Sequence, residues 1–238
     1  MLDNNYEPSS RKSKKSSKRL KGPQNLNLSK VMPLTKNQTR FFDNYKRHDI
    51  MVLHGFAGTG KTYIALYNAL YDVVNGDYDG VVICRSSVPS RDVGFLPGNE
   101  QEKMKVYEAP YQAMVNMLFN RGDAYECLKA KKHVEFMSTS FVRGITIDNK
   151  IIIVDEMQNL SFEELDSIIT RVGKNSKIIF CGDYSQTDLK KREQDGLDKF
   201  LDILELIEEV GMIEFEISDI VRSGLVKKYL IAKEQLND

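Results

Sequence analysis

Gly55-Phe56-Ala57-Gly58-Thr59-Gly60-Lys61-Thr62 is the stretch on which the fold turns. It fits GxxxxGK[ST], with the strand-like run Ile50 to His54 before it and the helical run Tyr63 to Val74 after it, the context that a phosphate-binding P-loop requires. Glycines let the backbone turn so that successive N–H groups face a phosphate, and the following helix adds the partial positive charge of its N-terminus. All eight positions, Gly55, Phe56, Ala57, Gly58, Thr59, Gly60, Lys61 and Thr62, are therefore candidates for nucleotide binding. Lys61 is expected to reach the β and γ phosphates of ATP, and Thr62 to bind Mg²⁺.

Two later strands complete the pattern. Ile151-Ile152-Ile153-Val154 runs into Asp155-Glu156, so a buried strand delivers two acids to the carboxyl edge of the sheet, where α/β proteins bind ligands. Such a Walker B strand assigns Asp155 to the metal and Glu156 to orienting or deprotonating the attacking water. Ser161 with Glu164 three residues on supplies a separate capping box for the next helix. A third strand, Lys177 to Cys181, leads into Gly182-Asp183-Tyr184-Ser185-Gln186. The Gln186 amide both donates and accepts, which suits it to sensing the γ-phosphate or positioning water.

With further strands expected at Gly80 to Cys84, Val134 to Met137 and Met212 to Phe215, short β-rich runs alternate with helical patterns. That alternation implies an α/β P-loop NTPase whose mostly parallel sheet carries helices on both faces. A long insertion after the second strand contains Gly94-Phe95-Leu96-Pro97-Gly98 and a helix with Tyr107, Tyr111, Met114 and Leu118 on one face, read as core packing.

The chain has 238 residues, with 34 Lys plus Arg against 34 Asp plus Glu, so bulk charge names no partner. Hydrophobic residues make up 41% and charged ones 29%, which suits a globular protein rather than a collagenous or wholly disordered one. No apolar run is long enough to span a bilayer, no signal-peptide centre is present, and Cys84, Cys127 and Cys181 have no CxxC spacing. These features predict a cytoplasmic protein without a membrane role. Residues 1–30 carry a net charge of +6, balanced by −6 on the rest. The serine-rich, weakly hydrophobic tail is expected to be mobile, either as a solubilising arm or as one that touches nucleic-acid phosphates. Residues 31–238 are read as a single domain. His48 and His133 are expected at the surface, and His54 packed beside the loop.

Taken together, these strings resemble the PhoH-like family of ATPases, relatives of the superfamily-1 helicase core. The strings are Gly55 to Thr62, Cys84-Arg85, Gly94 to Gly98, Phe141-Val142-Arg143-Gly144, Asp155-Glu156-Met157-Gln158-Asn159, Gly182 to Gln186 and Asp219-Ile220-Val221-Arg222. The resemblance implies a RecA-like sheet, hydrolysis of ATP with Mg²⁺, association with RNA or single-stranded DNA, and homo-oligomers, a hexameric ring among them. It supports phosphate binding at Gly58, Gly60, Lys61 and Thr62, the roles given to Asp155 and Glu156, and adenine recognition by Gln38. Met157 and Ser86-Ser87-Val88 depart from the family's pattern, which bears on the nucleic-acid path rather than on hydrolysis.

Among the arginines in matched strings, Arg222 is favoured as the finger that stabilises transition-state charge, supplied by a neighbouring subunit. Arg143 is the competitor, and Arg85 is assigned to nucleic acid or the insertion. Two other readings stay open: a nucleoside kinase, and a nucleic-acid-binding adaptor switched by ATP with little turnover. Strand order separates the first of these. A RecA-like sheet places the Cys181 strand between those ending at His54 and Val154, whereas direct pairing of the latter two favours a kinase.

Overall fold

The computed structural model describes residues 26–86, 100–183 and 191–234. Residues 1–25, Ser87 and Val88, the Gly94 to Gly98 string and the candidate Gln186 lie outside the described residues.

Six strands, β1 (Ile50–Gly55), β2 (Gly80–Arg85), β3 (Val134–Ser138), β4 (Lys150–Val154), β5 (Lys177–Cys181) and β6 (Val210–Phe215), form one sheet in the order β3-β2-β4-β5-β1-β6. Every pairing is parallel. β5 lies between β1 and β4, registering Leu53 with Cys181 on one side and Val154 with Phe180 on the other. This is the order expected of a RecA-like sheet, not that of the kinase reading.

Period-two alternation explains why the strands read as unbroken apolar runs. Met51, Leu53, Ile151, Ile153 and Ile179 face one core, while Val52, Ile152, Val154, Ile178 and Phe180 face the other. The first core is closed by α1 (Lys36–Asn44), α2 (Lys61–Val74), α3 (Glu100–Leu118) and α4 (Ala124–Ala130), through residues such as Phe41, Leu70, Val115 and Leu128. The second is closed by α5 (Thr139–Val142), α6 (Phe162–Ile169) and α7 (Lys191–Glu205), through Val142, Leu165 and Phe200 among others. α8 (Gly224–Glu234) follows a 3-10 turn at Ile217–Asp219.

Local signals set the helix starts. Thr35 caps α1 by accepting from the Gln38 N–H, and Ser161 and Glu164 form the expected capping box at α6. α2 alone of these three begins without a side-chain cap.

Two expectations need amending. Residues 26–30, assigned by composition to the tail, pack against the domain: Leu26 is buried in the first core and the Ser29 N–H donates to the Leu118 carbonyl at 2.8 Å. His133 is buried rather than at the surface, because its Nδ1 lies 2.8 Å from the Asp79 carbonyl ahead of β2. Among the described residues, no helix is long and apolar enough to cross a membrane.

Candidate active site

The loop after β1 is shaped by its neighbour β6. The Phe56 N–H donates to the Phe215 carbonyl at 3.0 Å. That approach leaves no room at Gly55, where φ is +105° and a Cβ would stand 2.1 Å from the same oxygen. Gly58 has φ +74°, and a Cβ there would meet Arg222 Cγ at 2.9 Å. Its carbonyl accepts from the Val221 N–H at 3.0 Å, so the segment after β6 clamps the loop. Gly60 caps α2 in the left-handed region with no side chain closing the first turn, which leaves the helix N-terminus for an anion.

Lys61 folds back across the loop. Its Nζ donates to the carbonyls of Gly55 at 2.8 Å and Phe56 at 2.7 Å. Burial pulls the ammonium below its ordinary pKa, with Asp183 the foremost of the acids that oppose the shift.

Facing the loop, the end of β4 presents Asp155, whose N–H donates to the Cys84 carbonyl at 2.9 Å. Both of its carboxylate oxygens have donors: Thr62 Oγ1 on Oδ1 and the Tyr111 hydroxyl on Oδ2, each at 2.7 Å. Burial first, and then Asp155, push the Tyr111 phenol well above its ordinary pKa, so it stays a donor. Glu156 adopts a left-handed conformation with φ 55°, rare for a residue with a side chain and costing about 1–3 kcal/mol. Gln158 Nε2 donates to its carboxylate at 2.6 Å, while Gln158 Oε1 accepts from the Asp183 N–H at 3.1 Å. Gln158 thus bridges the ends of β4 and β5. Burial, reinforced by Asp155, raises the pKa of Glu156 against the lowering pull of Arg85.

Lys61, Thr62, Arg85, Asp155, Glu156 and Arg222 all line one cavity of about 440 Å³. The donor set suits Mg²⁺, since the paired Thr62 hydroxyl and Asp155 carboxylate are hard oxygen ligands at the mouth of the P-loop.

Several expected residues take different positions. Gly55, Phe56 and Thr59 brace the loop rather than line the cavity; Thr59 is fully buried and its hydroxyl donates to the Phe56 carbonyl at 2.9 Å. Gln38, expected at the adenine, is buried beneath the loop. Its Nε2 donates to the Thr59 carbonyl at 2.8 Å and its Oε1 accepts from the Leu34 N–H at 2.8 Å, so its amide is committed to the backbone. Arg222, expected to act from a neighbour, packs on Gly58 of its own chain. Its segment is anchored by Asp219, which accepts from Asn37 Nδ2 at 2.7 Å. Arg85, assigned to nucleic acid or the insertion, does meet the insertion, with its guanidinium 5.4 Å from the Tyr107 ring centroid, and it lines the cavity as well. Arg143 is exposed and does not line the cavity.

Reading the sequence missed Tyr111 and Gln158 as site residues. Tyr111 belongs to the core stripe by its spacing, and the pattern gave no sign that its hydroxyl continues to Asp155. Gln158 sits in the DEMQN string, where its nearness to Glu156 was the available signal.

The family model described as PhoH-like protein matches residues 30–234. A PhoH-like protein of Bacillus subtilis is 35% identical over 205 residues, covering 85% of this chain and 64% of the relative. One from Mycobacterium leprae is 33% identical over 204 residues, covering 85% and 58%. The chain thus spans about three fifths of the length of these curated relatives. Among solved structures, the large terminase of a thermophilic bacteriophage in complex with ADP has a similar fold, with a TM-score of 0.50 and 12% identity over 83% of this chain and 49% of the terminase.

Proposed function

The chain belongs to the PhoH-like protein family, and on that premise we propose that it is a Mg²⁺-dependent ATPase that couples hydrolysis to binding or remodelling of RNA or single-stranded DNA. The observation that carries this reading is the convergence of Lys61, the Thr62–Asp155 pair and Glu156 on one cavity beside an uncapped helix N-terminus.

The residues divide the chemistry among them. Lys61 exchanges the Gly55 and Phe56 carbonyls for phosphate oxygens when nucleotide enters, so the loop is held in shape beforehand by the group that later binds its ligand. Thr62 and Asp155 hold Mg²⁺, which when bound neutralises phosphate charge. Glu156 accepts a proton from water as the water oxygen bonds to the γ-phosphorus and the bond to the β-phosphate oxygen breaks, releasing ADP and phosphate. Gln158 keeps the Glu156 carboxylate in place. Arg222 and Arg85 both carry positive charge to the cavity, where charge develops in the transition state.

Self-association, as a hexameric ring or a smaller homo-oligomer, is part of the proposal. It is supported by α8, which leaves Leu225 81% and Tyr229 66% exposed.

Release of phosphate from ATP, measured with Mg²⁺ alone and then with RNA, single-stranded DNA or deoxynucleosides, tests the reading. Phosphate release stimulated by either nucleic acid supports it. Phosphorylated deoxynucleoside would make the protein a kinase, and binding without turnover an ATP-switched adaptor.

A further inference from the structure

Among the described residues Asp155 has one side-chain donor per carboxylate oxygen, and the two come from different parts of the fold. Thr62 belongs to the P-loop helix; Tyr111 belongs to α3, in the insertion between β2 and β3. Tyr111 is 1% exposed, and its ring packs against Phe136 with centroids 5.5 Å apart, so the hydroxyl is delivered to Oδ2 by a fixed lever. Arg85 brings its positive charge near the same phenol. A phenol has one proton to give, and a guanidinium only donates. That proton goes to Asp155 Oδ2. Pro110, inside α3, removes the helix hydrogen bond to Val106 next to the turn that presents Tyr111.

We propose that Tyr111 is a positioning residue for the metal: by holding Oδ2 of Asp155 it keeps Oδ1 turned to Thr62, so that the seating of α3 sets how tightly the site holds Mg²⁺. This rests on the reading of the cavity as a Mg²⁺–nucleotide site. A hydrogen-bonding partner behind a ligating carboxylate fixes the ligand's rotamer, and its removal costs metal affinity rather than substrate contacts. The insertion helix thereby gains control over the metal without touching it. A ligand that draws α3 away loosens Mg²⁺.

Tyr111→Phe keeps the ring and its packing and removes only the donor. Binding of a fluorescent, non-hydrolysable ATP analogue to the full chain is titrated with Mg²⁺ and, separately, measured in EDTA. The half-saturating Mg²⁺ concentration is expected to rise about tenfold, with affinity in EDTA unchanged. Tyr107→Phe removes another buried hydroxyl, one without a hydrogen-bond partner among the described residues, and should move neither quantity. If Tyr111→Phe melts below the assay temperature, 3-fluorotyrosine placed at position 111 of the otherwise unaltered chain replaces it. Its ¹⁹F resonance should move when Mg²⁺ is added to nucleotide-loaded protein, and a stationary resonance overturns the proposal. Mg²⁺-dependent binding by the unmutated chain, with an unshifted Tyr111→Phe titration, also overturns it while leaving the ATPase reading intact. Nucleotide binding by the unmutated chain that ignores Mg²⁺ overturns both.

Discussion

One wall of the cavity comes from a single consecutive run, the P-loop, through Ala57, Gly58, Gly60, Lys61 and Thr62, whereas the other gathers Arg85 from the end of β2, Tyr111 from α3, Asp155 and Glu156 from the end of β4, and Arg222 from beyond β6. The first wall is held by backbone: carbonyls of Gly55, Phe56, Gly58 and Thr59 all accept hydrogen bonds that fix the loop. The second is held by side chains acting on side chains, as in the Thr62 and Tyr111 bonds to Asp155 and the Gln158 bridge. The difference predicts that substitutions in the first wall chiefly change nucleotide binding, and those in the second chiefly change turnover and metal dependence.

The largest effect is expected at Arg222. If its guanidinium meets developing phosphate charge, Arg222→Ala lowers kcat on the order of 10³-fold with little change in nucleotide affinity. Because Arg222 packs on Gly58 of its own chain, mixing Arg222→Ala with Lys61→Ala subunits should restore nothing. Recovery of activity in the mixture would place the arginine in a neighbour's site and break the comparison.

Next comes Glu156→Gln, which preserves shape and removes the proton acceptor. Turnover should fall on the order of 10²-fold while ATP still binds. The sign of the pH effect follows from burial. A raised pKa means that Glu156 is more protonated at a given pH than an ordinary glutamate, and a base works only when deprotonated. The acid limb of kcat should therefore lie above the ordinary glutamate value of about 4.3 and vanish in Glu156→Gln. A limb that survives in the variant belongs to another group.

Lys61→Ala tests the first wall. Loss of charge-assisted hydrogen bonds of about 1.5–3 kcal/mol should weaken ATP binding roughly 10- to 100-fold by calorimetry. The smallest effect is expected at Gln38→Ala, which strips the buried Thr59 carbonyl of its donor. Thermal or urea unfolding should register a loss of about 1–3 kcal/mol, accompanied by weaker nucleotide binding. Weaker binding of ATP than of GTP-type nucleotides, without lost stability, would instead return Gln38 to the adenine.

The same division explains what was legible in the sequence. A P-loop is written in consecutive residues, and the apolar runs of β1, β4 and β5 announce a sheet buried on both faces, so the strands and the placement of Lys61, Thr62, Asp155 and Glu156 followed from pattern, whereas the strand order rested on the family resemblance. Arg85, at the end of β2, and Tyr111, in the insertion that follows, lie 26 residues apart, and no periodicity specifies the path between them. Tyr111 also meets every criterion for a core residue, since its ring does pack in the core. Only the location of its hydroxyl, a tertiary fact, distinguishes it from Leu118 on the same face. Arg222 was recognisable by its string, but whether it serves its own chain or a neighbour depends on the Asp219 anchor and the Val221–Gly58 bond.

The central claim, that both walls close on one Mg²⁺–nucleotide, is tested most directly by a crystal structure of the chain with Mg²⁺ and a non-hydrolysable ATP analogue. The account predicts Lys61 Nζ on phosphate oxygens instead of the Gly55 and Phe56 carbonyls, the metal held by Thr62 and Asp155, and Tyr111 still on Oδ2. Nucleotide bound elsewhere, with Lys61 unmoved and Thr62 still bonded to Asp155, would contradict it.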